Sequence, residues 1–529
     1  MNEEILKIIK ERGLLLEKSV FELIDGLDQS FVKEFLINIE RISGQKFISL
    51  SLLNKNVEFV KSVVSKLGNE NKKIIENTFI RFGISLEIRK ELEVVDSKYE
   101  LKKENIGYKV FYANTRPDKK IEVRDFTSYF RARYQSLQRI LMQRPELQQN
   151  LVSINKISGE RTNLSIIGIV VEKRVTKNKN LMIKFEDLTG RISALARFDS
   201  GMKNRNGESI FEKASELLMD DVVGIKASGN SDMLFIQDIF FPDSFLYEKK
   251  KFEEDFNIVF LSDMHCGSDR HLGRGFKKFL NWIDSEDSIA KKVKYIFFSG
   301  DNVDGVGIFP GQEPLLNLKS MKEQYELLAS YLNKIPKRIT IFMCPGQHDA
   351  TRVAEPQPII SKRYAPQLYE IENLILVTNP CLIKLLEKNK EFNVLMYHGA
   401  SIHSFINEIR ELRELKAHRC PAKAVRHMLK RRHLAPSHGE VVYIPNAEVD
   451  PLVIQEVPDV LCTGEVHRLD IETYNGSMII TGSCWQAQTS FEEKVGNIPD
   501  PCKVPILNLK TRELKVYDFS DEEEIAKWM

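Results

Sequence analysis

Asn257-Ile-Val-Phe-Leu-Ser-Asp263-Met-His265 begins as an apolar run and closes on a carboxylate and an imidazole. A strand that is apolar at successive positions is buried on both faces, as in a parallel sheet, so its polar residues collect at its C-terminal end. The same construction recurs. Lys294-Tyr-Ile-Phe-Phe298 runs into Gly300-Asp301-Asn-Val-Asp304, and Thr340-Ile-Phe-Met-Cys344 runs into Gly346-Gln347-His348-Asp349. Phe392-Asn-Val-Leu-Met-Tyr397 runs into His398-Gly399, and Gly464-Glu465-Val-His467 closes the series. All ten histidines of the 529-residue chain lie between His265 and His467. The pattern predicts an α/β sheet with a site along one rim.

The residue types set the chemistry. Phosphodiester cleavage needs cations to neutralise the phosphoryl oxygens and to acidify a water, and two metals can share one carboxylate. Any single Asp-x-His or Gly-Asp-x-x-Asp is weak, and a lone loop histidine is usually hydrogen-bonded without metal. The whole set, in order and each at a strand-to-loop junction, points to a two-metal phosphoesterase site.

The rest of the chain frames that site. Lys+Arg exceed Asp+Glu by only 77 − 75 = 2, so any nucleic-acid contact is local or shared with a partner. Hydrophobic content of 42% and charged content of 29% are ordinary for a globular protein, and 529 residues suffice for two to four domains. The start, MNEEILKIIKERG, is charged and amphipathic, and no apolar run is long enough to span a membrane. A cytoplasmic protein without membrane contact is expected. The seven cysteines form no CxxC pair, which predicts reduced, structural thiols; Cys266, beside His265, either packs or tunes the site.

Four zones follow. Residues 1–75 show helical periodicity in Ile5, Ile8, Ile9, Val20, Phe21, Ile24, Phe31, Val32, Phe35, Leu36 and Ile39, as an interaction module or a plain folded appendage. Residues 76–105 are charge-dense and read as a linker. Residues 106–250 carry short strands at 164–171, 181–185, 192–195, 222–226 and 233–236, with turns at Thr176–Asn180 and Asp187–Gly190. Five such strands resemble an OB-fold, which binds single strands or packs against protein. Residues 251–529 hold the site. On a helix there, Lys423, Arg426, Lys430, Arg431 and Arg432 face DNA phosphates, solvent or a partner. Trp485 and Phe491, after the last site loop, stack a frayed base or fill the core.

Residues 251–529 resemble the calcineurin-like metallophosphoesterase superfamily. The resemblance implies a phosphoesterase β-sandwich flanked by helices. It assigns Asp263, His265, Asp301 and His467 to a first metal, with Asp301 bridging to a second that adds Gln347, His398 and Glu465. His348 would protonate or stabilise the departing oxygen, Asp349 would orient that imidazole, and Asp304 would brace its loop. Two positions depart from the family pattern, which has Asn at 347 and His at 465. Both fall on the second metal. Gln and Glu still offer oxygen donors, suited to manganese or magnesium.

An OB-fold ahead of such a domain is typical of the B subunits of replicative DNA polymerases. The segments PGQHDATRVAEPQP, LKRRHLAP, VPDVLCTGEVHR and GSCWQAQTSFEEKVGNIPDPCKVPILNL resemble the small subunits of archaeal family D DNA polymerases. The resemblance implies a 3′→5′ proofreading exonuclease using two divalent metal ions, manganese foremost. It implies a large polymerising subunit as partner, single-stranded or mismatched 3′ ends as substrate, and a contact with the sliding clamp through the complex. The site of action would be the archaeal cytosol, at the nucleoid. The alternative is a catalytically weakened B subunit that scaffolds the large subunit.

Overall fold

The four apolar runs form strands of two facing sheets. In the computed structural model the described residues are 9, 12–17, 20–21, 29–43, 46–49, 52, 107–115, 120–198, 201, 203, 207–446 and 448–528. The chain divides into two units, Met1–Leu101 and Lys102–Met529.

In the first unit, helix α1 (Gln29–Ser43) buries Val32, Phe35, Leu36 and Ile39, a stripe at i, i+3, i+4 and i+7 that matches the helical period. The expected all-helical module also holds a short parallel pair, β1 (Leu15–Leu16) with β2 (Phe47–Ile48). Ile5, Ile8, Ile24 and the whole expected linker at 76–105 lie outside the described residues.

In the second unit, one six-stranded sheet runs β12 (Leu374–Leu376), β11 (Thr340–Cys344), β10 (Val293–Ser299), β9 (Asn257–Leu261), β18 (Lys503–Asn508), β19 (Leu514–Asp518). The other runs β16 (Asp470–Tyr474), β17 (Ser477–Thr481), β15 (Val460–Thr463), β14 (Lys390–Met396), β13 (Cys381–Glu387), β3 (Tyr108–Tyr112). Between them pack Ile258, Phe260, Phe297 and Phe342 from the first sheet against Ile383, Phe392, Val394 and Ile480 from the second. Strand alternation sends Val259, Leu261, Phe298 and Met343 the other way. There they meet Phe276 and Phe279 of α2 (Gly273–Ile283) and Tyr325 and Leu328 of α3 (Met321–Leu332). Leu395, Leu461 and Ile479 of the second sheet face α4 (Ile402–Glu408) and α5 (Ala422–Arg431). The result is a helix–sheet–sheet–helix sandwich, as the family resemblance implies. Strands β9, β10 and β11 are parallel neighbours, so their C-terminal ends share one rim.

Strands β4 (Arg161–Val175), β5 (Leu181–Glu186), β6 (Arg191–Ala196), β7 (Val222–Gly229) and β8 (Leu234–Phe240) close a barrel in the order β4-β5-β6-β8-β7. A long first strand pairing with both β5 and β7, and a parallel β6–β8 closure, is the OB arrangement. Its core is Ile166, Ile183, Phe185, Ala194, Ile225 and Ile236.

The barrel does not begin near residue 106. Tyr108–Tyr112 instead forms the sheet edge against β13, because its alternating Tyr108, Val110 and Tyr112 pack into the inter-sheet core. The helix Val123–Leu141 then carries Tyr129 and Arg133 to a buried carboxylate, Asp450. The basic helix is likewise committed internally. Arg431 is buried against Asp221 of the barrel at 3.0 Å, Arg432 donates to the Ile454 carbonyl at 2.7 Å, and Lys430 pairs with Glu216. Lys423 and Arg426 share Glu472 at 3.5 and 3.3 Å. Lys430 and Arg431 tie the barrel to the sandwich, and all five cations have partners within the chain. Trp485 is core, edge-on to Phe276 at 4.8 Å, and the side chain of Phe491 lies outside the described residues. The seven cysteines are unpaired, and Cys266 sits in the hydrophobic core with its thiol pushed up by burial. Among the described residues no helix is long and apolar enough to cross a membrane.

Candidate metal centre

The rim is built from strained turns. Asp263, His265, Asp301, Glu465 and His467 hold φ of 50°, 44°, 48°, 75° and 59°. Left-handed backbone at a non-glycine residue costs about 1–3 kcal/mol and persists only where its surroundings enforce it. The glycines beside these residues supply close approach. A Cβ at position 346 would lie 2.2 Å from Asp301 Oδ1, and one at 464 would lie 2.5 Å from Asp263 Oδ2.

Three overlapping donor groups result, Asp263/His265/His467, Asp263/Asp301/His398 and His265/Asp304/His348, each with ligand atoms within 4.8 Å of one another. In the first, the imidazoles carry the argument. His265 Nδ1 donates to Asp304 Oδ1 at 3.1 Å, and His467 Nδ1 donates to Glu492 Oε1 at 3.0 Å. With both Nδ1 hydrogens committed, neutral rings turn two lone pairs on each other, and their Nε2 atoms are 3.0 Å apart. Two such lone pairs repel, so the geometry calls for a positive charge between or beside them, a shared proton or a metal cation. Asp263 Oδ1 stands 3.6 Å from His467 Nε2.

The second half is built alike. His398 Nδ1 donates to the Ser299 carbonyl at 2.7 Å, which directs Nε2 inward. That nitrogen lies 3.3 Å from both Asp301 Oδ2 and Glu465 Oε2. Asp301 Oδ2 is also 4.0 Å from His265 Nε2, so one carboxylate oxygen faces both halves. Asp263 Oδ2, His398 Nε2 and Gln347 Oε1 are buried with no hydrogen-bond partner. A buried polar atom left unpaired costs about 1–3 kcal/mol, and Asp263 Oδ2 and Gln347 Oε1, beside a His398 Nε2 whose near neighbours are carboxylates, fit a set of cation donors.

The charges respond to one another. Burial works against the charged forms, yet the His398 and His348 imidazoles hold Asp301 well below the usual carboxylate range. Burial likewise works against a charged His398, which Asp301 nonetheless holds well above the usual imidazole value. Glu465 is lowered to about 2 by His398 despite burial, and His467 is raised to about 9 by Glu492 despite burial. Asp263 alone among these carboxyls is pushed up by its burial.

His348 sits at the open side, its side chain 23% exposed and its Nε2 3.8 Å from Asp301 Oδ2. The expectation that Asp349 orients it does not hold. His348 Nδ1 donates instead to the Asp304 carbonyl at 2.7 Å. Asp349 has no oxygen to spare: it accepts from the Asn302 backbone and side chain, the Gly346 backbone and the Tyr325 hydroxyl, all within 3.1 Å. It braces the loop that carries His348. Asp304 does more than brace, since its carboxylate orients His265 and its carbonyl orients His348.

Sequence reasoning missed three contributors. Glu492 stands at the N-terminus of α6 (Ser490–Val495), where Oε2 accepts from the Thr489 backbone at 2.8 Å and Oε1 holds His467. Gln486 donates to Asp304 Oδ1 at 3.1 Å. His403 Nε2 lies 3.5 Å from Glu465 Oε1, so the odd carboxylate at 465 is held from behind.

A family model for the B subunit of DNA polymerases alpha and epsilon matches residues 258–469, the stretch from β9 past the last site loop. The chain is similar to the DNA polymerase II small subunit of Pyrococcus furiosus, 37% identical over 412 residues, covering 76% of this chain and 64% of that protein. It is 37% identical over 405 residues to the small subunit of Methanothermobacter thermautotrophicus, covering 75% of this chain and 80% of that protein. Against that of Pyrococcus horikoshii it is 35% identical over 455 residues, covering 83% and 70%. The chain thus spans just under two thirds of the Pyrococcus furiosus relative's length.

Proposed function

The chain belongs to the family of archaeal DNA polymerase II small subunits, and from that premise we propose that it is a metal-dependent 3′→5′ DNA exonuclease. It proofreads for a separate large polymerising subunit of a heteromeric replicative polymerase. The observation that carries this reading is the 3.0 Å approach of His265 and His467 Nε2, with both Nδ1 atoms tied to carboxylates.

Asp263, His265, Asp301 and His467 would hold one divalent cation, and Asp301, Gln347, His398 and Glu465 a second. A donor set of imidazole, carboxylate and amide oxygen suits manganese. Bound there, the cations supply charge for the phosphoryl oxygens and acidify a water. The chain's own groups do the rest. Asp301 presents one oxygen to both halves of the site. His348 turns its Nε2 toward the site, 3.8 Å from Asp301 Oδ2, while its Nδ1 is tied to the Asp304 carbonyl, so when protonated its Nε2 would donate to the departing oxygen. The Asp304 carbonyl keeps that ring aimed, and Asp349 keeps its loop in place.

The test is incubation of the full chain, with its large subunit, with 5′-labelled single-stranded DNA and Mn²⁺. Progressive shortening that EDTA abolishes is the expected result. No shortening with Mn²⁺ or Mg²⁺ would overturn the reading. Glu492→Gln removes the carboxylate behind His467 and is expected to weaken Mn²⁺ binding about 10–100-fold, read by calorimetric titration. An unchanged affinity would contradict the role given to Glu492.

The departures at 347 and 465 favour a second reading, a catalytically weakened B subunit that scaffolds the large subunit. Gln347→Asn with Glu465→His separates the two. The exonuclease reading expects two Mn²⁺ per wild-type chain and a change in cleavage rate in the double variant, whereas the scaffold reading expects at most one Mn²⁺ per wild-type chain, no wild-type cleavage, and a second binding event gained in the variant.

A further inference from the structure

We propose that the loop Gly305-Val-Gly-Ile-Phe-Pro-Gly311 is the nucleobase contact of this site, taking the unpaired terminal base of a DNA strand. The inference rests on the phosphodiesterase reading above and names what that site recognises beyond the phosphate.

The loop leaves directly from Asp304, and its base is anchored. Gln312, itself buried, donates to the Asp304 carbonyl at 3.0 Å and to Asp304 Oδ2 at 3.1 Å, and accepts from the Ile308 backbone at 3.0 Å. Gln324, fully buried, accepts from the Gly305 backbone at 2.9 Å and donates to the Gly305 carbonyl at 3.0 Å. Anchoring of this kind fixes what the tip presents. The tip is apolar: Val306, Ile308 and Phe309 are 42%, 39% and 41% exposed. Residues 305–312 carry no charge, in a wall otherwise made of carboxylates and imidazoles.

Large apolar side chains grouped on a surface mark a contact. Its place says with what. A Cβ on Gly305 would lie 2.6 Å from both the His348 carbonyl and Ile308 Cγ1, so the root of the loop, with Ile308 folded onto it, lies against the segment that carries His348. The loop leaves from the residue whose carboxylate orients His265 and whose carbonyl orients His348, so an occupant of the loop lies beside the site. A DNA strand places a base one sugar away from the phosphate being cleaved, and every base has an apolar π-face that stacks irrespective of sequence. A paired base has those faces and its edge engaged, whereas a frayed terminal base offers them. The loop therefore favours unpaired ends.

The test compares wild type with Phe309→Ala and Ile308→Ser, as full chains with the large subunit, on 5′-labelled strands. One strand ends in a normal 3′ nucleotide, the other in an abasic tetrahydrofuran residue. Wild type is expected to cleave the normal end with a kcat/KM on the order of tenfold higher, the size of one base–aromatic stack. In either variant that ratio collapses toward one. A ratio near one already in wild type, or a ratio kept by both variants, overturns the loop's assignment while leaving the exonuclease intact. Failure of the variants to hold the large subunit, with the ratio kept, overturns it too and gives the loop to that partner. No cleavage of either strand by wild type instead defeats the exonuclease reading itself.

Discussion

Asp301→Ala is expected to lower manganese-dependent shortening of a labelled strand on the order of 10³-fold, the several kcal/mol that a shared, metal-bridging carboxylate underwrites. Asp301 Oδ2 is 3.3 Å from His398 Nε2, 3.8 Å from His348 Nε2 and 4.0 Å from His265 Nε2, so one substitution disturbs both halves of the site and the proton donor. The loss should appear in kcat at saturating DNA, with the large subunit still attached. Calorimetric Mn²⁺ titration of the same variant should lose both binding events or merge them into one weak one. Equal rates for variant and wild type would show that shortening comes from a contaminant or from another site.

The largest expected effect on stability lies elsewhere. Asp450 is fully buried and accepts from Tyr129 Oη at 2.7 Å, Arg133 Nε at 2.6 Å and His433 Nε2 at 2.8 Å. The nearby positive charge of Arg133 holds the Asp450 carboxyl below the usual range against the opposing effect of burial. Asp450→Ala would strand the Arg133 guanidinium, which is also buried, without its counter-charge. Breaking one partner of a buried pair costs about 3–5 kcal/mol. A fall in stability of that size, read from urea unfolding, is expected, with Asp450→Asn falling less because it keeps an acceptor. A loss under about 1 kcal/mol would mean that water reaches the network on truncation. Because Tyr129 and Arg133 lie on a helix far from Asp450 in sequence, this variant also reports whether that helix holds its place on the sandwich.

The contrast between these two sites shows what the chain discloses before it folds. The rim was legible because each parallel strand is apolar and hands over a carboxylate or imidazole at its end, a pattern visible within a dozen residues. The barrel was legible from strand spacing and turns, although its first strand extends to Arg161–Val175 and its edge does not include Tyr108–Tyr112. Relations between distant residues were not legible. Glu492 caps its own helix from three positions after Thr489, and only the fold shows its other oxygen on His467. The family resemblance makes Asp349 the residue that orients His348, but its oxygens accept from Asn302, Gly346 and Tyr325. The basic helix fits DNA phosphates, solvent or a partner equally well in sequence, and only the fold brings Asp221, Glu216 and Glu472 beside it. In each case a local motif was right about the residue's charge and silent about who neutralises it.

The most direct measurement is the rate of 3′-terminal nucleotide release, with Mn²⁺ and the large subunit, from a 5′-labelled primer that is either matched or mismatched at its last position. The account predicts stepwise shortening of the labelled strand in both, faster from the mismatched end, and lost with Asp301→Ala. A labelled strand that stays full length, or that shortens at the same rate in the Asp301→Ala complex, would contradict it.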